Sequence, residues 1–494
     1  MKARLSSRYL LAGIVALGAA LRFSTLGLQS YRYDEAVTVG RVLQPSFFAT
    51  IAAVGHSEST PPLYYALAWL WSRPFGTGEV WMRSLSALAG TAAILVVYLA
   101  ARALPLPRRA ALLAAALVSV SPVLVWFSQD ARAYALVFLF AALSFLFFAR
   151  ARRGLGRRDL LWWAVFSALA IATHYFAGFL VAPEAALLLL RPAPGRGRRG
   201  AVVATLAVLA ACLALVPLLV EQTEHNHAGW IGQQPLAQRL ERAGAKLVGA
   251  DNGDEHGPRQ PGPIPLAIPA ALALAALALL LWGGDGEERR GAGLAAVVGL
   301  AAVGLPLLLG RFGHDYLDGR NLLPAFVPLT IVLGAGFAVR RTGWAGPALG
   351  VAACLCALAF TIEIDRLPRL QREDLRNAAA RVGTLGPATA VVTNRYAASQ
   401  PLRYYLGARV AHRTPPPLRE IDLVGSASAA RSAAHILPPG FHRVGSEPVS
   451  YNFTLTRFRA ARPVRVPLSV LERGALVGGG PRASVLLPPL PSGS

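Results

Sequence analysis

The chain has 494 residues, of which 54% are hydrophobic and only 15% charged, with a mean hydropathy of +0.45 and a formal net charge of +23. Soluble domains carry about 25% charged residues, so this composition excludes a string of ordinary soluble domains and points to apolar runs of bilayer length, roughly 20 residues each. The positive charge is almost wholly arginine, Lys2 and Lys246 being the only lysines, and it sits in short loops between those runs, which argues against a nucleic-acid-binding surface.

Lys2, Arg4 and Arg8 precede an apolar run over 9–26. That pattern is shared with signal peptides, but no convincing small-x-small cleavage site precedes a mature domain and more spans follow, so an uncleaved first span is expected. Further spans are expected at 84–101, 110–127, 133–149, 160–174, 176–190, 201–220, 263–282, 293–310, 322–339 and 344–361, about eleven crossings in all. The fifth and sixth are short enough to be one broken or re-entrant pair. Cys212, Cys354 and Cys356 all lie inside apolar runs and read as small core or lipid-facing residues.

Alternate loops are arginine-rich: Arg102, Arg108 and Arg109; Arg150 to Arg158; Arg191 to Arg199; Arg289 and Arg290; Arg340 and Arg341. By the positive-inside rule these face the cytoplasm together with the N-terminus. An odd number of spans then places the C-terminal region outside. The outside also holds two long loops, 27–83 and 221–262. The cytoplasmic loops leave no room for a nucleotide-binding fold, and no GxxxxGK[ST] run is present. Residues 362–494 read as a small extracytoplasmic α/β domain. An amphipathic helix is expected at 366–383, strands at 388–393 and 451–459, and a loose tail from about 477.

Four polar clusters fall on the expected outer side. Asp34-Glu35 follows the first span closely, where a carboxylate is placed to take a proton from an acceptor hydroxyl; the plainer alternative is an acidic helix start. His56 and Glu58 precede Thr60-Pro61-Pro62-Leu63-Tyr64-Tyr65 and would share a face if extended, where either suits a metal ion or a sugar hydroxyl. Here the alternative is an interface turn starting a helix. Gln129, Asp130, Arg132 and Tyr134 occupy a very short loop, costly there unless paired or serving a site; an Asp130–Arg132 pair would also explain them. The fourth cluster, Arg311 to Pro324, includes His314, Asp315, Tyr316, Asp318, Asn321 and Arg320, the last suited either to hold a phosphate or to snorkel to the interface. Glu184, inside the sixth span beside Pro183, is intramembrane and ionisable but is left outside the site.

The Asp-Glu after the first span, the His-x-x-x-x-Pro-Pro-Leu-Tyr-Tyr element and Ser128-Gln129-Asp130-Ala131-Arg132-Ala133-Tyr134 resemble the GT-C glycosyltransferases. The closest branch is glycosyltransferase family 39 in the broad sense, which includes protein O-mannosyltransferases and the bacterial lipid A aminoarabinose transferase. The resemblance covers about residues 9–340. It implies a polytopic α-helical membrane enzyme of GT-C type in the bacterial cytoplasmic membrane. It implies inverting transfer of a sugar from a polyprenyl phosphate to a hydroxyl of a protein, lipid or glycan on the outer face. Asp34, with Glu35, would be catalytic. His56, Glu58, Tyr64, Gln129, Asp130, Arg132, Tyr134, His314 and Arg320 would bind substrate, Arg320 engaging the lipid phosphate. Many members have Arg-Tyr where this chain has Arg320-Asn321. Metal dependence varies within the superfamily, so a divalent ion stays open here, with His56 and Glu58 as candidate ligands. The competing classes are a flippase or transporter of lipid-linked sugars, a glycan polymerase, and an envelope scaffold acting through residues 362–494.

Overall fold

The computed structural model describes residues 2–154, 156–190, 198–224, 231–252, 262–313, 315–480 and 482–489. The chain divides into two compact units: residues 1–26 with 43–366, and residues 27–42 with 367–494.

The first unit is helical. Every apolar run expected to span the bilayer is a helix or part of one. Among the described residues five helices are long and apolar enough to cross a membrane: Glu79–Arg102, Tyr134–Arg152, Arg199–Glu224, Gly286–Arg311 and Ala345–Arg366. A sixth span arises if Arg108–Val120 and Pro122–Ser128, bent by 58°, count as one. The bend falls at Ser121-Pro122, where proline removes a helical donor. Shorter apolar helices include Tyr175–Leu190, Ala267–Gly283 and Leu323–Phe337. Of the about eleven expected spans, five or six are thus helices of bilayer length among the described residues, and several others are shorter helices that break at proline, glycine or histidine.

Burial separates inner from outer helices. In Tyr134–Arg152 72% of the apolar stretch is buried, against 11% in Arg199–Glu224, whose Leu206, Leu209, Leu213 and Val220 stand exposed. An apolar helix with its apolar side chains turned outward is stable in lipid, not in water, and the protein is a multi-pass membrane protein. Close approach of inner helices needs small residues. A Cβ on Gly334 would lie 2.7 Å from the Ala110 carbonyl oxygen. Arg22 is fully buried and donates to Ser128 Oγ and to the Ser119, Val118 and Gly18 carbonyls at 2.9–3.0 Å, tying the first helix to the bent pair. Glu184 is also fully buried, with Ser144 and Trp163 both donating to one of its oxygens, at 2.6 and 2.8 Å.

The second unit is built on a six-stranded sheet: β1 Thr389–Asn394, β2 Arg409–Val410, β3 Leu418–Gly425, β4 Phe441–Pro448, β5 Thr454–Val464 and β6 Ala483–Leu487. The order is β2-β6-β1-β3-β5-β4, with β1 and β3 parallel and the remaining pairs antiparallel. Alternating side chains supply two cores. Val391, Val424, Leu455 and Leu486 pack under helices Leu375–Val382 and Ser399–Leu406, and Val392, Ile421, Phe458 and Val485 pack under Ala429–Ile436. The expected strands appear as β1 and β5. The amphipathic helix expected over 366–383 shrinks to Leu375–Val382, because Pro368 opens a separate turn and Asp374 caps the helix through Asn377 N at 3.0 Å. The loose tail expected from about 477 instead contains β6, which lies between β2 and β1. A five-residue apolar run bounded by Gly478-Gly479-Gly480 and Pro488 has too little length to announce a strand on its own.

One buried charge pair in this sheet gives a pH signature. Asp422 on β3 faces Arg457 on β5, with Nε and Oδ1 3.4 Å apart, and is 1% exposed. Burial pushes its carboxyl from 3.8 up to about 6, the Arg457 charge opposing the shift. Folding thus disfavours the ionised form. The cost is absent below about pH 4, where the carboxyl is protonated in both states, and it grows to about 3 kcal/mol above pH 6. Asp422→Asn is expected to remove this rise of stability on acidification from pH 7 to 4, read from unfolding curves at several pH values. Identical pH dependence in variant and wild type would refute the raised carboxyl.

Candidate functional site

In the first unit the polar clusters converge on a buried ion pair. Helix Phe47–Ser57 ends at Glu58, which leaves the helix in an extended conformation, and Pro61-Pro62 start helix Leu63–Phe75. The turn places Glu58 inside, 3% exposed. Arg132, from the short link before helix Tyr134–Arg152, donates from Nη1 and Nη2 to the two Glu58 oxygens at 2.8 and 2.7 Å. The fork-on-carboxylate geometry is the strong form of this interaction. The Arg132 guanidinium also lies 5.8 Å from the Tyr65 ring centre, and the Tyr65 hydroxyl bonds Thr60 at 3.0 Å. Gln222 holds the turn from the long helix Arg199–Glu224, donating to the Thr60 and Val54 carbonyls at 3.0 and 3.2 Å, and Tyr175 donates to Gln222 at 2.9 Å.

An aromatic row continues from the pair. Tyr134 packs on Phe127 at 4.6 Å and on His174 at 5.8 Å; His174 meets Phe176 at 5.1 Å, and Phe176 meets Tyr316 at 5.3 Å. The charges of Arg132 and Arg320 both bear on His174. Arg320, its side chain 12% exposed, sits 3.5 Å from Asp318, which also accepts from the Arg320 backbone N–H at 3.1 Å. Its loop is fixed by Asn321 donating to the Tyr316 carbonyl at 3.0 Å. Arg239 adds a two-pronged bond to Asp315 at 2.6 and 2.7 Å and a bond to the Leu317 carbonyl at 2.9 Å. The Arg239 bonds hold the Asp315 carboxyl below the usual carboxylate range.

Glu58, Tyr64, Arg132, Tyr134 and Arg320 thus belong to one neighbourhood of the first unit. Gln129 is turned away from it, donating to the Leu21 carbonyl at 3.0 Å and Thr25 Oγ1 at 2.7 Å, and Asp130 is fully buried. Arg132 is paired with Glu58. His56 does not share a face with Glu58: it is still helical, exposed, and 3.4 Å from Glu221. Both Glu58 oxygens are taken by Arg132. Among the described residues no group of three or more His, Cys, Asp or Glu comes together to hold a metal ion. His314 lies outside the described residues. His174 is not among the residues the sequence marks as polar clusters; its signal is a polar residue at the break between two short apolar runs.

Asp34 and Glu35 belong to the second unit. They lie in the short helix Tyr33–Val37. Glu35 is fully buried, its Oε2 accepting from Arg32 N at 3.1 Å and from Arg372 Nη1 at 3.0 Å. The Asp34 side chain keeps 30% exposure, with Arg32 Nη2 at 3.6 Å. Asp34 is the more exposed of the two carboxylates. Burial, with the neighbouring Asp34 charge, raises the Tyr33 hydroxyl above its ordinary value.

Residues 59–220 match the family model of dolichyl-phosphate-mannose-protein mannosyltransferases. No curated protein matches the sequence. Among solved structures, ArnT from Cupriavidus metallidurans bound to undecaprenyl phosphate is 13% identical, with TM-score 0.56, over 90% of this chain and 97% of that one. The S. cerevisiae protein O-mannosyltransferase Pmt1-Pmt2 complex is 18% identical over 44% of this chain and 34% of that one, with TM-score 0.35. The Archaeoglobus fulgidus oligosaccharyltransferase is 15% identical over 72% and 52%, with TM-score 0.43; these two overlaps are too loose to define a shared fold. The mannosyltransferase model thus lies over the Pro-Pro turn and the Arg132 link, and the chain shares the fold of ArnT, a membrane glycosyltransferase of GT-C type, through nine-tenths of its length.

Proposed function

We propose that the protein transfers a sugar from a polyprenyl phosphate to an acceptor hydroxyl, with inversion, on the outer face of the bacterial cytoplasmic membrane. The carrying observation is the fold shared with ArnT, whose structure holds undecaprenyl phosphate. Asp34 takes the proton from the acceptor hydroxyl. The acceptor oxygen then forms its bond to the anomeric carbon as the bond to the phosphate oxygen breaks, and the lipid phosphate leaves as an anion. Arg320 meets that charge. Arg132 is the poorer phosphate ligand, because Glu58 already neutralises it through both oxygens. Tyr134, His174 and Tyr316 line the sugar's place with aromatic surface. The arginine-rich loops support an inside N-terminus, and the helicity of all the predicted runs supports eleven crossings.

Membranes containing the protein, given radiolabelled polyprenyl-phosphate sugars, are expected to incorporate label into acceptors. No incorporation from any such donor, with the protein inserted, would overturn the reading in favour of transport. Arg320→Ala is expected to cut kcat/KM for the donor about 10–100-fold, the worth of one charged hydrogen bond. An unchanged donor KM and kcat would remove Arg320 from the phosphate site.

A further inference from the structure

The segment carrying Asp34 is fastened along its length by the C-terminal part of the chain. Arg376 Nη2 donates to the Gly27 carbonyl at 3.1 Å. The Arg372 backbone N–H donates to Gln29 Oε1 at 2.8 Å. Ser30 Oγ donates to the Glu373 carbonyl at 2.7 Å and accepts from Leu375 N at 3.1 Å. The Tyr31 N–H donates to the Tyr405 hydroxyl at 2.7 Å, and the Tyr31 ring packs edge-on to Tyr404 at 5.3 Å. The last fastening is the buried pair Arg372–Glu35, with side chains 4% and 0% exposed.

We propose that Arg372 is a positioning residue for sugar transfer, and that residues 367–406 act as a clamp that aims Asp34. This rests on the reading of Asp34 as the base. Successive residues of a helix point about 100° apart. Fixing Glu35 inward on Arg372 therefore fixes the direction in which its neighbour Asp34 points. Arg372 also neutralises Glu35, so Asp34 does not stand beside an uncompensated carboxylate. The segment of 16 residues holds one helix of ten, Tyr33–Val37 continued by the π-helical Thr38–Val42, too short to be stable on its own, so the clamp supplies its order. The C-terminal region is on this account part of the catalytic apparatus.

The test compares Arg372→Ala, Arg372→Lys, Tyr405→Phe and Asp34→Asn in full-length protein, with kcat, donor KM and the pH profile of kcat. Misplacing a reacting group by about 1 Å costs about 10²-fold. Arg372→Ala is expected to lose about that in kcat with donor KM unchanged. Its acidic limb should move to higher pH, because Glu35 is left as a bare negative charge beside Asp34. A loss of folded enzyme scales the whole profile without moving it. Arg372→Lys should restore the limb and part of kcat. Should Arg372→Ala fail to fold, Arg372→Lys and Tyr405→Phe carry the test, each with a several-fold loss in kcat at constant donor KM. Wild-type kcat and pH profile in the Arg372 and Tyr405 variants, with Asp34→Asn inactive, would overturn the clamp alone. An active Asp34→Asn would overturn the assignment of the base beneath it.

Discussion

Replacing Asp34 with asparagine is expected to lower sugar transfer by about 10²–10⁴-fold, the usual worth of a positioned general base. The amide has nearly the shape of the carboxylate but cannot take the acceptor's proton. The short helix should survive, because its anchoring bonds run through Glu35, Ser30 and the Tyr31 backbone. Donor KM should change little, since the phosphate is held elsewhere. Glu35→Gln makes the contrast. It keeps an oxygen for the Arg32 N–H while removing the charge that Arg372 meets, so it should lose stability as well as rate. Transfer near the wild-type rate in Asp34→Asn, with the protein inserted and folded, would remove Asp34 as the base.

The second large effect is on stability. Breaking the Glu58–Arg132 pair by Glu58→Gln or Arg132→Gln is expected to cost about 3–5 kcal/mol, because either change leaves the other charge buried and uncompensated. The double replacement should cost clearly less than the sum of the two. The pair is 3% and 8% exposed and both oxygens of Glu58 are used, so water has little access to repair the loss. Unfolding in mixed detergent micelles, carried out as a double-mutant cycle, reads the coupling. Single variants as stable as wild type would mean that the pair is not structural. Activity should fall with stability, since Arg132 orders the turn that presents Tyr65 and the link that begins the helix of Tyr134.

These two carboxylates show where sequence reading stops. Asp34 and Glu35 look equivalent in sequence: adjacent, acidic, just beyond an apolar run. What separates them is the guanidinium of Arg372, more than 300 positions later in the chain, and no local pattern announces that partner. His56 and Glu58 read as a pair if the backbone is extended, but the helix capped by Ser46 runs past His56 to Ser57 and releases the chain only at Glu58, so the two part company. The partner of Glu58 is likewise 74 positions away.

The sequence by itself determined the class of the molecule. Apolar runs need a bilayer and form helices there because unpaired backbone groups in hydrocarbon are too costly, and every run read that way is helical. It also marked the neighbourhood of the site, since polar residues beside such runs are expensive enough to need a reason. Tertiary structure alone decided which charges neutralise one another, which of two adjacent carboxylates is buried, that β6 enters the middle of the sheet, and that residues 27–42 join the C-terminal unit. Each of these depends on contacts between positions far apart in the chain, whose pairing is fixed by packing and burial, not by local propensity or periodicity.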